Sequence, residues 1–489
     1  MRPNGNVDAV VVGGGPNGLA AAIAVARAGR SVRLYEARDT VGGGCRTAEL
    51  TEPGVLHDVC SAIHPLARSS RFFRELPLDR HGLDWIEPPI QIAHPLDDGT
   101  AALVYRDVTD TAATFGDPGD GRLYERWMRP LAHDWELISR ELLGPLRPLA
   151  GLRHPIGLGR FAMPSLLPAS RVARRFRSPA ARALVAGCSA HSFLSLSAPM
   201  SAGFGLALLT SAHAVGWPMP RGGSGRIVEA LAAHLLELGG TIETGRPVRS
   251  LDALPSHRAA LLDLTPRQVL EVAGGRLGGP RGRIYAAQLR RYRYGPAAFK
   301  LDLVLDQPIP WSNPLLAQAG TVHLGGMLEE VEASERATHA GRLADRPFVL
   351  LAQPSQFDPS RAPQGRHVVW AYCHVPHGWD GDPNVATDAI EGQIERFAPG
   401  FRERIVGRHV MTPADLERYN ENYVGGDING GLQNWAQFFT RPAVRPNPYS
   451  TPDPGLFICS SSTPPGGGVH GLCGMRAAEA ALRGVLREP

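Results

Sequence analysis

Residues 8 to 47 constrain the fold more than any other part of the chain. The apolar run from Asp8 to Gly13 reads as a strand of the buried parallel type, and it passes directly into Gly13-Gly14-Gly15-Pro16-Asn17-Gly18, a GxGxxG spacing. Leu19 to Arg27 is alanine-rich and stops before Gly29, as a helix C-terminus does. A second apolar strand, Ser31 to Tyr35, closes on Glu36. Strand, glycine turn, helix, strand and acid in this order predict a βαβ nucleotide-binding unit, whereas the glycine turn alone would be a weak signal.

Each position has a physical task. Gly13 permits the tight turn, Gly15 lets the backbone approach a pyrophosphate, and Gly18 lets the helix pack closely on the strand. Pro16 and Asn17 then sit at the helix N-terminus, whose amides face the phosphate charge. Glu36, at the distance expected of the acid that accepts the ribose hydroxyls, disfavours a 2′-phosphate, so the ligand is NAD-like or FAD. After Ala37 and Arg38 a second glycine cluster, Gly42-Gly43-Gly44, leads through Cys45 to Arg46 and Thr47. Amides plus a cation can bracket a pyrophosphate from the other side, which an NAD site does not need, so the predicted cofactor is FAD. The alternative is a flexible surface loop.

The far end of the chain points to the same ligand. A strand-like run, Gly455 to Cys459, leads through Ser460 to Pro465 into Gly466-Gly467-Gly468-Val469-His470-Gly471 and a helical stretch to Leu486. With no second strand and no ribose acid after it, this is not a second nucleotide fold. A helix start preceded by small residues can stabilise negative charge on a reduced flavin, so Gly468, Val469 and His470 are expected at the isoalloxazine end of the same site.

The segments VVVGGGPNGLAAA, YEARDTVGGGCRT, HDVCSAIHPLARSS, GWPMPRGGSGRIVEAL and STPPGGGVHGLCGMRAAEAAL resemble the phytoene-dehydrogenase-like FAD oxidoreductases, relatives of carotenoid desaturases, retinol saturases and flavin amine oxidases. The resemblance runs from about Asp8 to Leu486 and is weakest from about 100 to 200. It implies an α/β fold: a Rossmann-type FAD-binding domain assembled from residues 1–90, 211–290 and 451–489. Between them it implies a discontinuous α+β substrate-binding domain, a partly helical region at 91–210 and a mixed or antiparallel sheet at 291–450. It also implies that Val248 meets the adenine through its backbone.

Phe299 to Trp311 reads as an alternating strand ending in a proline turn. It looks like the strand of flavin amine oxidases whose lysine holds a water against flavin N5, and Lys300 falls at that place. Lys300 is also the single lysine among 51 basic Lys and Arg side chains, in a chain whose bias has otherwise replaced lysine by arginine. The competing reading is a lysine on a solvated face. His57, Asp58 and His64 follow the second glycine loop; His64 is the candidate acid or base, against a histidine that only satisfies core hydrogen bonds. Trp217 to Pro220 reads as a loop at the substrate entrance or a packed turn.

A formal net charge of +4, without a basic tail interleaved with aromatics, argues against a nucleic-acid partner. Six cysteines without CxxC pairs or a zinc-type His/Cys spacing argue against a structural metal and fit a reducing compartment. With neither an export signal nor a long apolar span, a cytoplasmic protein is expected. Between 142 and 190 stand eight arginines and no acidic residue, interleaved with apolar side chains, which suggests peripheral contact with an anionic membrane or a basic protein surface. The sequence does not fix the oligomeric state, and a dimer is compatible with it.

The expected function is a dehydrogenase, desaturase or oxidase that moves a hydride from carbon of a lipophilic small molecule to flavin N5. The alternatives are a flavin-dependent isomerase or saturase, an amine-oxidase-like enzyme, and, more remotely, a non-catalytic prenyl-binding regulator of the same fold.

Overall fold

A computed structural model describes residues 6–144 and 155–487 of the 489-residue chain. Its nucleotide-type sheet has five strands in the order Leu456–Ile458, His257–Leu262, Val7–Val12, Val32–Tyr35, Thr241–Glu243, every pair parallel. Both faces are covered, which explains why these strands are apolar runs and not alternating ones. Ala9, Val11 and Leu261 pack under helices Pro16–Arg27, Gly225–Glu237 and Leu472–Arg483. Val10, Val12 and Leu262 pack against helix Pro266–Val272 and its neighbour Gly279–Arg290.

Helix Pro16–Arg27 starts on a proline at its first turn, where the missing N–H costs nothing, and its alanines let other helices approach closely. A Cβ at Gly474 would lie 1.8 Å from the Asn17 carbonyl, so the C-terminal helix presses directly on this one. Strands from the beginning, middle and end of the chain thus meet in one sheet.

The second sheet has seven strands in the order Ile405–Met411, Ala297–Leu305, His367–Val375, Val349–Ala352, Ala319–Leu324, Ile90–Pro95, Ala101–Val104. All neighbours are antiparallel except Ala319–Leu324 and Ile90–Pro95. One face, with Phe299, Leu301 and Leu303, is packed under helix Pro383–Phe397. The other carries Lys300, Asp302, Trp370, Tyr372, Leu350, His323 and Thr321 toward the rest of the molecule, as strand alternation and the register dictate. The strand around Lys300 is therefore buried on both faces, all nine residues of it. This corrects the solvated-face reading: Lys300 is 2% exposed, because Asp302 two residues on neutralises it under the adjoining helical layer.

Helices Pro118–His133, Pro179–Ala190 and Ser201–Val215 build that layer. The basic segment 142–190 lies partly outside the described residues. Its described part includes helix Pro155–Ser165, and Ile156 and Met163 along it and Leu166 just past its end are more than half exposed.

Candidate functional site: a cleft between the two sheets

One cleft, with about 2100 Å³ not filled by protein atoms, its mouth included, runs from the C-terminal edge of the parallel sheet to the face of the seven-stranded sheet that carries Thr321, Leu350, Trp370 and Tyr372. Ligands of open parallel sheets bind at that edge.

The near end is built from the two glycine loops. Gly13 has φ +101°, a conformation that L side chains avoid, and a Cβ there would lie 2.9 Å from the Asp263 carbonyl. A Cβ at Gly18 would sit 1.9 Å from the Gly13 carbonyl, which is the close helix-to-strand packing that the motif requires. Glu36, 7% exposed, accepts from the Gly14 amide at 2.8 Å, the Arg38 amide at 2.9 Å and Arg46 Nη2 at 3.2 Å. Arg46 also donates to Thr40 O and Gly43 O and stacks over the Tyr419 ring, whose hydroxyl donates to Gly43 O at 2.6 Å. The second glycine loop is thus an ordered structure with a guanidinium at its base, not a flexible surface loop.

Of the residues expected to hold a cofactor, Gly13, Gly15, Pro16, Asn17, Glu36, Ala37, Arg38, Gly43, Gly44, Arg46, Val248, Gly468 and Val469 line the cleft. Three do not. Gly18 gives its amide to Asp263. Thr47 donates to Asp58 at 2.9 Å and accepts from the Gly225 amide. The His470 ring turns into its own loop, where Nε2 meets Gly466 O and Nδ1 accepts from the Leu472 amide at 3.1 Å, and burial pushes its pKa down to about 4.

His64 lines the middle of the cleft. Its Nε2 is 2.8 Å from Ser224 Oγ, which donates to Ser61 O at 2.5 Å. Ser224 having only one proton, His64 must be the donor, so its buried Nδ1 is a bare acceptor without a protein partner among the described residues. Burial pushes its pKa down to about 4, despite Asp58 nearby. Asp58 itself is structural: it accepts from Arg361, Thr47 and the Ser224 amide and so ties together segments far apart in the chain. His57 reaches Thr51 Oγ1 at 2.8 Å and lies 3.5 Å from Asp302, away from the cleft.

Lys300 does not reach the wall. Its ammonium is held by Asp302 and lies 5.9 Å from the centroid of Trp370, which does line the cleft. Burial works to raise the Asp302 carboxyl, but Lys300, His409 and His57 hold it well below the usual carboxylate range.

Sequence reasoning missed Asp263. It stands at the end of an apolar strand, as Glu36 does, so the same signal marks it. Its carboxyl accepts from Gly18, and burial, with the Glu36 charge, raises its pKa to about 7. Trp370, Tyr372 and Tyr423, which form the aromatic walls farther in, were also missed.

The residues present fit a dinucleotide. The helix amides, the second glycine loop and Arg46 line one end of the cleft, as donors to a diphosphate would, Asn17 Oδ1 is a buried polar atom without a partner among the described residues, and the Glu36 carboxylate lines the same end. Fold and cleft together define a dinucleotide-binding protein built on a Rossmann-type parallel sheet. Residues 11–76 match the NAD(P)-binding Rossmann-like domain. Rat pyridine nucleotide-disulfide oxidoreductase domain-containing protein 2 is 27% identical over 97% of this chain and 93% of its own. A lycopene-forming phytoene desaturase from Pseudescherichia vulneris is 27% identical over 54% of this chain and 55% of its own. Wild-type putrescine oxidase bound to putrescine shares the fold at a TM-score of 0.60 and 15% identity, covering 97% of this chain and 98% of that one. Among the described residues no helix is long and apolar enough to cross a membrane.

Proposed function

We propose that the chain is an FAD-dependent oxidoreductase that removes a hydride from a carbon of a mostly apolar small molecule. The observation that carries this reading is the continuity of the cleft: beyond the diphosphate end it continues past His64 to a wall of Leu208, Trp217, Leu350, Trp370 and Tyr372. An NAD half-site would not need the second loop with Arg46, and the far end is apolar and aromatic, as a site that excludes water from a lipophilic substrate should be. Bound FAD supplies a two-electron acceptor at its N5.

The protein's own residues bind and orient. Gly13, Gly15, Asn17, Gly43, Gly44 and Arg46 hold the diphosphate, Glu36 the ribose, and Val248 the adenine. Gly468 and Val469 approach the flavin ring. His64, fixed through Ser224, offers its bare Nδ1 to a hydrogen-bond donor in the cleft. Lys300 is a positioning residue, its ammonium fixing Asp302 and backing the Trp370 ring.

The test is an absorption spectrum of the purified chain, then anaerobic reduction and mixing with oxygen. A bound flavin with rapid reoxidation identifies an oxidase, and slow reoxidation a dehydrogenase, desaturase or isomerase. Absence of flavin after reconstitution with FAD overturns the reading.

A second proposal concerns placement. Exposed Ile156, Met163 and Leu166 stand beside Arg160 and Arg171, a combination that suits docking on an anionic membrane surface. Salt-sensitive co-sedimentation with phosphatidylserine vesicles supports it, and equal recovery with neutral vesicles overturns it.

A further inference from the structure

The inner end of the cleft holds a buried histidine system that the reading above does not use. His94, Thr321, His323, Tyr372 and His374 share one face of the seven-stranded sheet, and helix Pro179–Ala190 lies across it. His191, the residue after that helix, brings its Nε2 to 2.9 Å from His323 Nε2. Burial pushes His191 down to about 3 and His323 well below the usual histidine value, so both rings are neutral.

Two neutral imidazoles that share a hydrogen bond must be in opposite tautomers at the shared nitrogens. The other side of His323 decides which. A Cβ built on Gly187 would lie 2.9 Å from His323 Nδ1 and 2.7 Å from His94 Nδ1. Gly187 lies inside a regular helix, where alanine would be the better former, so glycine is kept there for the space that the two rings need. His94 Nε2 is 2.7 Å from Gly326 O and must carry the hydrogen, which leaves His94 Nδ1 a bare acceptor facing the same hollow. His323 Nδ1 likewise makes no hydrogen bond among the described residues, and because two bare lone pairs turned to one hollow repel, the hydrogen is favoured on His323 Nδ1. His191 then donates from Nε2 and presents its Nδ1 to the cleft as an acceptor, without a partner among the described residues.

Beside it, Trp217 Nε1 donates to Thr321 Oγ1 at 2.8 Å, and the Thr321 hydroxyl proton has no acceptor among the described residues. Trp217 and His191 meet edge to face, so the acceptor and the donor belong to one wall. The acidic side chains that line the cleft, Glu36, Asp263, Glu271 and Glu421, all belong to its nucleotide end, and the inner wall is Leu208, Leu350, Trp370 and Tyr372. A charged group there would be buried without compensation.

We propose that the inner end of the cleft recognises a neutral alcohol on a lipophilic substrate, His191 Nδ1 accepting its hydroxyl hydrogen and Thr321 donating to its oxygen. The proposal rests on the substrate cleft of the preceding section and narrows its ligand class. The two are tested apart, because flavin absorbance reads the cofactor and the Trp370-dependent part of the tryptophan fluorescence reads the inner wall.

The experiment titrates the flavin-loaded full chain with decane, 1-decanol, decylamine and decanoate, following the part of the tryptophan fluorescence change that Trp370→Phe abolishes, since the chain has eight tryptophans. The expected result is that decanol binds about tenfold tighter than each of the other three, the combined effect of two neutral hydrogen bonds. His191→Leu should reduce the preference over decane to less than twofold, and Thr321→Val to about threefold, with flavin absorbance and circular dichroism unchanged. Gly187→Ala, which pushes His323 and His94 apart without touching the cleft wall, should weaken it too. Equal binding of decane and decanol, tighter binding of the amine or the acid, or a preference that survives in both His191→Leu and Thr321→Val overturns the proposal.

Discussion

Asp263 Oδ2 lies 2.9 Å from the Gly18 amide, in the first turn of the helix that faces the diphosphate position. A carboxyl there occupies a donor that a phosphate would otherwise share, and a Cβ on Gly15 would be 2.9 Å from the same oxygen. Its pKa, raised to about 7 by burial, sets the sign of the effect. The folded state holds the proton between about pH 4 and 7 while the unfolded state has lost it, so this group's contribution falls as pH rises through that window, by at most about 1.4 kcal/mol per pH unit. Cofactor retention should be weaker at pH 8.5 than at pH 6, where the carboxyl is neutral beside the diphosphate. Equilibrium dialysis of flavin checks this, and in Asp263→Asn the dependence should flatten.

Glu36 makes three hydrogen bonds, two of them to backbone amides, Gly14 in the first glycine loop and Arg38 after the second strand. Glu36→Gln keeps the shape but removes the charge that faces Arg46 and the ribose. Flavin affinity should drop about 10- to 100-fold, the worth of hydrogen bonds to a charged group. Fluorescence of released flavin on dilution measures it, and the secondary structure should be retained.

The parts of the site that could be read from the chain are those built by local succession. Strand, turn, helix and acid follow one another from Val7 to Glu36, and each residue's task depends on neighbours a few positions away. The Asp58–Arg361 pair, by contrast, joins residues 303 apart, and the His191–His323 contact residues 132 apart. Such pairs exist only once strand register is set, which no local pattern encodes. Lys300 shows the same limit from the other side. Its strand has the alternation of a half-exposed one, and burial of both faces depends on the helical layer from residues 179–215. His470 stands in the expected loop, yet its ring caps the following helix, because the Leu472 amide offers the nearer partner.

Lys300 and Asp302 are both almost fully buried and paired. Lys300→Met leaves the carboxylate without its main compensating charge, a loss of about 3–5 kcal/mol. The Asp302 pKa is depressed, so the pair's stabilisation is present above about pH 4 and fades as pH falls below it. Chemical denaturation at pH 7.5 should show the full loss in Lys300→Met, and adding Asp302→Asn should recover part of it. Recovery of stability without recovery of the reoxidation rate would separate the ammonium's role behind Trp370 from its structural one.

His64, His94, His191, His213 and His470 have pKa values pushed down to about 3 or 4 by burial, and His323 lies well below the usual value too. Between about pH 6.5 and 4 the unfolded chain binds protons at these positions and the folded one does not, so stability rises with pH across that window and is lost on acidification. Six such groups outweigh the opposite slope of Asp263. The chain should unfold cooperatively in mild acid with uptake of more than two protons, measured as the pH dependence of the urea midpoint. His213→Phe, which removes one of the six together with its bond to Tyr124, should reduce the proton uptake by about one while lowering stability at neutral pH.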